Sequence, residues 1–327
     1  MTPYRAPWWL PGGHVQTLYA ALATPRPRVA YRRERWETPD ADFVDVDWLV
    51  PARDVTGVHR TGDAPLVVLF HGLEGCSASH YAHALMARVD GAGWRGAVVH
   101  FRGCSGGPNR LPRAYHSGDS AELDWMLKRL RGACTGPLYA AGVSLGGNAL
   151  LKWLGEQGPA AGAVVARAAA VSAPVDLMAA GEALGRGFNL VYTRAFLSTL
   201  KKKSLAKLAA HPGIYDGGKV RSAGTLRAFD NVVTAPLHGF RDTDDYWTRS
   251  SAKPLLPRIT VPTLMVNARN DPFLPEAALP GTRDVSAAVT CEFPAAGGHV
   301  GFVSGPFPGN LDWLPRRIVD FFRSRAD

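Results

Sequence analysis

Residues 138–150 read Leu-Tyr-Ala-Ala-Gly-Val-Ser-Leu-Gly-Gly-Asn-Ala-Leu, a short apolar run that meets a helix-forming run across Gly142-Val143-Ser144-Leu145-Gly146. This is the G-x-S-x-G turn between strand and helix. Such a turn holds its serine in strained backbone geometry and leaves no room for side chains two residues before or after it. It therefore demands a sheet edge from which the Ser144 hydroxyl is raised, with the N–H of Leu145 aimed where an oxyanion forms. The chain has 35 glycines, so the pattern alone is weak. Its context carries the weight: a strand before, a helix after, Gly147 for close packing, and partners further along.

The flanking sequence alternates as that turn requires. Residues 66–70 are a continuous apolar run, as in a strand buried on both faces. A helix at about 79–93, a strand at 97–101, a helix at about 118–131, the elbow strand with its helix, and a strand at 163–171 follow. This order predicts a parallel sheet with helices on both faces. Ahead of it, residues 29–37 and 43–50 alternate around a turn at Pro39-Asp40-Ala41-Asp42, which suits an antiparallel hairpin at a sheet edge. Residues 51–64 read as a polar loop. From 176 to 250 the alternation stops. Charged helix-prone segments and a loop-rich stretch at 211–239 replace it, still rich in Leu, Phe, Trp and Tyr, so the segment reads as an insertion rather than a linker. Strands resume at 263–267 and 288–293. Leu314, Ile318 and Phe321 mark a closing amphipathic helix at about 311–323. The fold class is α/β, with eight strands. The core spans 1–175 and 251–327, and includes an N-terminal arm at 1–28.

A serine hydroxyl needs a base, and the base an orienting acid, which a doubly wound sheet places at the carboxyl ends of later strands. Asp271 follows the strand at 263–267, and His299, beside Gly297 and Gly298, follows the strand at 288–293. The order Ser…Asp…His is that of an α/β-hydrolase triad. Asp176, just past the strand at 163–171, is the rival acid. The second oxyanion donor belongs to the turn after the third strand, His71-Gly72-Leu73-Glu74-Gly75, and falls on Leu73 N–H beside that of Leu145. His71 precedes the serine and is read as a loop-holding residue. His211 and Asp216 form an H-x-x-x-x-D pair that is read as accidental.

Phe188, Leu190, Val191, Tyr192, Phe196 and Leu197 recur at roughly helical spacing within the insertion, enough to line an apolar slot. Phe188, Tyr192 and Phe196 are its candidate substrate-contacting residues. Lys201, Lys202 and Lys203 come next, and two readings stay open for them: a solvated helix face, or peripheral contact with an anionic membrane surface. Trp8 and Trp9 are read as anchors of the arm, with a substrate-facing role as the alternative.

The net charge of +9 comes from scattered arginines without an Arg/Lys–aromatic ladder, so no nucleic-acid partner is expected. Cys76, Cys104, Cys134 and Cys291 include no C-x-x-C, which fits free thiols rather than a metal site. There is no signal-peptide pattern and no apolar stretch of about 18 residues, and a cytoplasmic location is expected.

The stretches His71-Gly-Leu-Glu-Gly75, Phe101-Arg-Gly-Cys-Ser-Gly106, Tyr115-His-Ser-Gly118, Gly142-Val-Ser-Leu-Gly-Gly-Asn148, Leu237-His-Gly-Phe240 and Gly298-His299 together resemble the YheT-like α/β-hydrolases, the AB hydrolase 4 family. Trp9-Leu-Pro-Gly-Gly-His-Val-Gln-Thr17 fits as well. The resemblance covers nearly the whole chain. It implies an α/β-hydrolase fold with a helical cap, here at 176–250, serine esterase or lipase-like activity, and no cofactor. Small-molecule esters or lipids, acylglycerols and phospholipids among them, are the implied substrates. It lands on Ser144, Asp271 and His299. Where members often carry Asp-Asp-Pro, this chain has Asn270-Asp271-Pro272, so Asn270 offers no second acid. Ester hydrolysis through an acyl-enzyme is favoured by the intact triad. Acyl transfer to an alcohol and a non-catalytic binding protein remain the alternatives.

Overall fold

Leu66, Val67, Val68, Leu69 and Phe70 are all buried because the strand they form lies at the centre of the sheet. The structure, a computed structural model, describes residues 3–52 and 63–324. The expected loop at 51–64 falls mostly outside the described residues. The strands are β1 (Ala30–Glu37), β2 (Phe43–Val50), β3 (Leu66–Phe70), β4 (Arg95–Val99), β5 (Leu138–Val143), β6 (Arg167–Val171), β7 (Thr263–Val266) and β8 (Val289–Glu292). They form one 8-stranded sheet in the order β1-β2-β4-β3-β5-β6-β7-β8. The β1–β2 hairpin sits at one edge, and β2 also runs antiparallel to β4. The remaining pairings are parallel.

The helices outside the β6–β7 connection are α1 (Gly13–Leu22), α2 (His80–Gly91), α3 (Ser120–Gly132), α4 (Leu145–Gln157) and, at the end, α11 (Trp313–Arg323). Side chains alternate across a strand, and β3 shows the result. Leu66, Val68 and Phe70 pack with Leu123, Met126 and Trp153 of α3 and α4. Val67 and Leu69 pack with Leu85, Val89 and Ile318 of α2 and α11. Burial on both faces is why this strand reads as an unbroken apolar run. Buried Arg102 clamps the hairpin turn to α3: its guanidinium donates to Asp42 at 2.9 Å and to Glu122.

Between β6 and β7 stand α5 (Leu177–Leu184), α6 (Leu190–Ala210), α7 (Gly217–Ser222), α8 (Leu226–Val232), α9 (Thr234–Leu237) and α10 (Thr243–Ser250). The stretch expected to be loop-rich, 211–239, thus holds three short helices. Asp216 caps α7 by accepting from Gly218 and Lys219 N–H, and Thr225 caps α8 by accepting from Ala228 N–H. Two strands, β4 and β6, also differ from expectation by more than one residue at an end. Residues 158–163 are a 3-10 helix opened by Gly158-Pro159, so β6 starts only at Arg167. β4 spans Arg95–Val99, and His100 N–H still donates to Asp45 O of the neighbouring β2 at 2.9 Å. All four cysteines are free. Among the described residues no helix is long and apolar enough to cross a membrane.

Candidate active site

β5 delivers Val143 to the carboxyl edge, and α4 begins at Leu145. Between them Ser144 takes φ 52° and ψ −120°, a left-handed conformation for a residue with a side chain. The flanking glycines are sterically required. A Cβ on Gly142 would meet Gly146 O at 2.5 Å, and one on Gly146 would meet Phe70 O at 2.4 Å.

The turns after β7 and β8 bring the partners. His299 Nε2 lies 3.0 Å from Ser144 Oγ, and His299 Nδ1 lies 2.9 Å from Asp271 Oδ2. With Nδ1–H donating to the carboxylate, Nε2 is left to accept from the serine. The Asp271 side chain is fully buried, and Phe273 stacks on the imidazole with ring centroids 4.1 Å apart. The His299 turn is held by the N-terminal arm. Thr17 Oγ1 accepts from His299 N–H at 2.8 Å, and Gln16 Oε1 accepts from Gly297 N–H at 2.8 Å. Asn270, which is no acid, ties this turn to the arm, accepting from Gly298 N–H and donating to Gln16. Ser172 Oγ, from the turn after β6, accepts from Val300 N–H. Sequence reasoning missed Gln16, Thr17 and Ser172. The one signal was that Gln16-Thr17 closes a stretch already shared with a known family. Thr17→Val is expected to orphan the His299 amide and destabilise the protein by about 1–3 kcal/mol, with a fall in kcat. A denaturant titration with unchanged midpoint would contradict this.

Gly72 lies against the serine; a Cβ there would sit 3.1 Å from Ser144 Cβ. This brings the loop after β3 over the hydroxyl. Leu145 N–H opens α4 and so lacks an intrahelical acceptor. Leu73 N–H likewise has no protein acceptor among the described residues. Both residues line a cavity of about 570 Å³ that also contains Ser144 and His299. Its apolar walls include Leu177 and Ala180 of α5, Phe196 and Leu200 of α6, Phe229 of α8 and Trp247 of α10.

A family model described as the alpha/beta hydrolase fold matches residues 65–306. The chain belongs to the α/β-hydrolase family. YheT of Escherichia coli (strain K12) is 39% identical over 94% of this chain and 89% of its own length. A Mus musculus protein named Phospholipase ABHD3 is 30% identical over 100% of this chain and 79% of its own length. Among solved structures, the Pyrococcus furiosus esterase Pf2001 aligns at a TM-score of 0.55 and 14% identity, covering 90% of this chain and 92% of that one. That likeness is one of fold. The similarity to YheT, first visible in the motifs, extends over nearly the whole chain.

Most other residues of this α/β-hydrolase singled out in the sequence lie away from the Ser144–His299–Asp271 group. Asp176 caps α5, accepting from Ala179 N–H, and makes no contact with His299. His71 is fully buried: Nδ1–H donates to Gly72 O at 2.8 Å and Nε2 accepts from Phe101 N–H at 3.1 Å. Burial lowers its pKa to about 3, so it stays neutral and holds the loop. His211 meets Arg110 O, away from the cavity lining, and Asp216 is a helix cap. Phe196 lines the cavity, but Phe188 and Tyr192 do not. Phe188 is 52% exposed and lies before α6, with its ring against His14; Tyr192 also faces His14 and packs on Phe273. Lys201 donates to Arg221 O and Lys203 pairs with Glu74 at 2.9 Å, so two of the three lysines have partners within the protein. Trp9 anchors the arm through Gly305 O and the Tyr19 and Phe307 rings, whereas Trp8 is 92% exposed.

Asp230 lines the cavity and accepts from Thr234 Oγ1 at 2.6 Å and Trp247 Nε1 at 2.9 Å, joining α8, α9 and α10. Burial raises its pKa to about 6. The folded value exceeds that of an unfolded carboxyl, about 3.9, so the protonated form favours folding. This contribution is fully present below about pH 4 and is lost as pH rises through about 6. Across that window the melting temperature of Asp230→Asn should gain on that of the wild type; parallel curves would contradict the assignment.

Proposed function

We propose that this α/β-hydrolase cleaves carboxylic esters through an acyl-enzyme on Ser144. The observation that carries the reading is the continuous relay Ser144 Oγ–His299 Nε2–Asp271 at 3.0 and 2.9 Å, opening on an apolar cavity. Ser144 Oγ attacks the ester carbonyl while His299 Nε2 takes its proton. Buried Asp271 stabilises the imidazolium and fixes the tautomer. The oxyanion is received by the N–H groups of Leu73 and Leu145. Collapse expels the alcohol, which takes the proton back from His299. Water then repeats the sequence on the acyl-enzyme and releases the acid. The membership in this family and the relative named a phospholipase support ester hydrolysis.

Helices α5–α10 are proposed to be a cap whose inner wall receives the acyl chain. Support comes from the apolar side chains that these helices contribute to the cavity containing Ser144. Each methylene buried adds about 0.8 kcal/mol at most, so medium-chain p-nitrophenyl esters should exceed acetate in kcat/KM until the cavity is full. Phe196→Ala is expected to move the optimum to longer chains. A wild-type optimum at acetate, or an unmoved profile in the variant, would remove the cap from the substrate path.

A further inference from the structure

The loop over Ser144 disposes of its amides selectively. Gly72 N–H donates to Tyr81 Oη at 3.0 Å, Glu74 N–H donates to Tyr115 Oη at 2.8 Å, and Gly75 N–H donates to Gly72 O at 2.9 Å. Leu73 N–H lies between the two amides taken by tyrosines, and Leu73 lines the cavity with Ser144. Tyr115 is buried and Tyr81 partly so, and burial raises both pKa values, which keeps the O–H groups protonated.

The Tyr115 side does more than accept. Its O–H donates back to Glu74 Oε1 at 2.9 Å, so backbone and side chain of Glu74 close on one hydroxyl. This reciprocal pair holds Glu74 at φ 56°, a left-handed conformation that a glutamate adopts at a cost. The Glu74 carboxylate then accepts from Lys203 Nζ at 2.9 Å. Lys203 belongs to α6, in the insertion, while Glu74 and Tyr115 belong to the core. Tyr115 is itself fixed by stacking on Phe101, centroids 5.4 Å apart, and by an edge contact to His71. With the lysine half-exposed and only the carboxylate buried, the ion pair contributes little stability by itself. Its position, one residue from Leu73 and reaching across to α6, gives it a different use.

We propose that Glu74 and Tyr115 are positioning residues that aim the Leu73 N–H at the oxyanion, and that Lys203 couples the seating of α6 to that aim. The proposal rests on the acyl-enzyme reading of Ser144. A well-seated α6 completes the Lys203–Glu74–Tyr115 chain and fixes the Leu73–Glu74 peptide, which anchors Leu73 on the side opposite the Gly72–Leu73 peptide that carries its N–H. A displaced α6 breaks the chain and loosens the donor.

The test compares Tyr115→Phe, Lys203→Met and Lys203→Arg with wild type, using a medium-chain p-nitrophenyl ester and a trifluoromethyl ketone of equal chain length as the tetrahedral oxyanion mimic. Removing an oxyanion donor outright costs about 10²–10³ in kcat; misaiming it is expected to cost about tenfold or more in Tyr115→Phe. The affinity for the ketone should fall in parallel, with KM for the ester changed less than about twofold. Lys203→Met, a substitution at a half-exposed site, should show the same split at smaller size, and Lys203→Arg should restore wild-type values. Ketone affinity and kcat that stay within about twofold of wild type in both Tyr115→Phe and Lys203→Met would overturn the proposal. So would a loss in Lys203→Met that falls on KM alone. Ser144→Ala in the same assay keeps the two readings apart: inactive Ser144→Ala beside unaffected Tyr115→Phe and Lys203→Met rejects the positioning role and leaves the nucleophile standing.

Discussion

Ser144→Ala is expected to reduce kcat for ester hydrolysis by about 10⁵–10⁶-fold while leaving the folded protein nearly as stable as wild type. The size follows from the role: loss of a nucleophile that acts as a unit with its base removes almost all of the catalysis those groups supply. The small effect on stability follows from the structure. Ser144 holds its left-handed backbone because Gly142 and Gly146 permit it and because its N–H donates to Val171 O at 2.8 Å, and alanine retains all of that. The hydroxyl's partner is the His299 ring, which keeps its hold on Asp271 when the serine is gone. Thermal denaturation of the variant should fall within the range of a surface substitution, about 0.5 kcal/mol. Residual hydrolysis near the wild-type rate would remove the nucleophile assignment.

The second large effect is at the acid. Asp271→Asn should lower kcat by about 10⁴, since an amide at this position favours the wrong imidazole tautomer and cannot stabilise the imidazolium. Asp176→Asn should leave kcat within a few-fold of wild type, because the Asp176 carboxylate caps α5 through Ala179 N–H. Its cost belongs to the helix, about 0.5–2 kcal/mol for a lost cap. An inactive Asp176→Asn beside an active Asp271→Asn would reverse the assignment of the acid. Asn270, next to Asp271, is spent on Gly298 N–H and Gln16 and supplies no fallback carboxylate.

The elbow was legible because its constraint is steric and local. A glycine whose Cβ would enter a backbone oxygen has to be glycine, and that leaves a mark in a single sequence. The central strands were legible for a similar reason, since burial on both faces forces the unbroken run at Leu66–Phe70. Alanine carries no such mark, and the Ala-rich approach to β6 hid a 3-10 helix that ends at Ala163, with the strand starting only at Arg167. The short helices α7, α8 and α9 span too few turns to develop an apolar period. Their caps, Asp216 and Thr225, were the available signal. Helical spacing placed Tyr192 and Phe196 on one face of α6, and both do touch Phe273. Spacing does not say what a face meets: Tyr192 faces His14 of the arm, and Phe196 lines the cavity. The arm's hold on His299 was the least legible element. Thr17 and Gln16 act on amides 282 and 281 residues away, and a contact at that separation has no local pattern.

The most direct measurement is mass spectrometry of the protein after reaction with a fluorophosphonate, with the adduct mapped by peptide. The proposed mechanism predicts one adduct per chain, on the peptide containing Ser144, and none in Ser144→Ala. An adduct on any other residue, or an unlabelled wild type that still hydrolyses the ester series, would contradict the acyl-enzyme account.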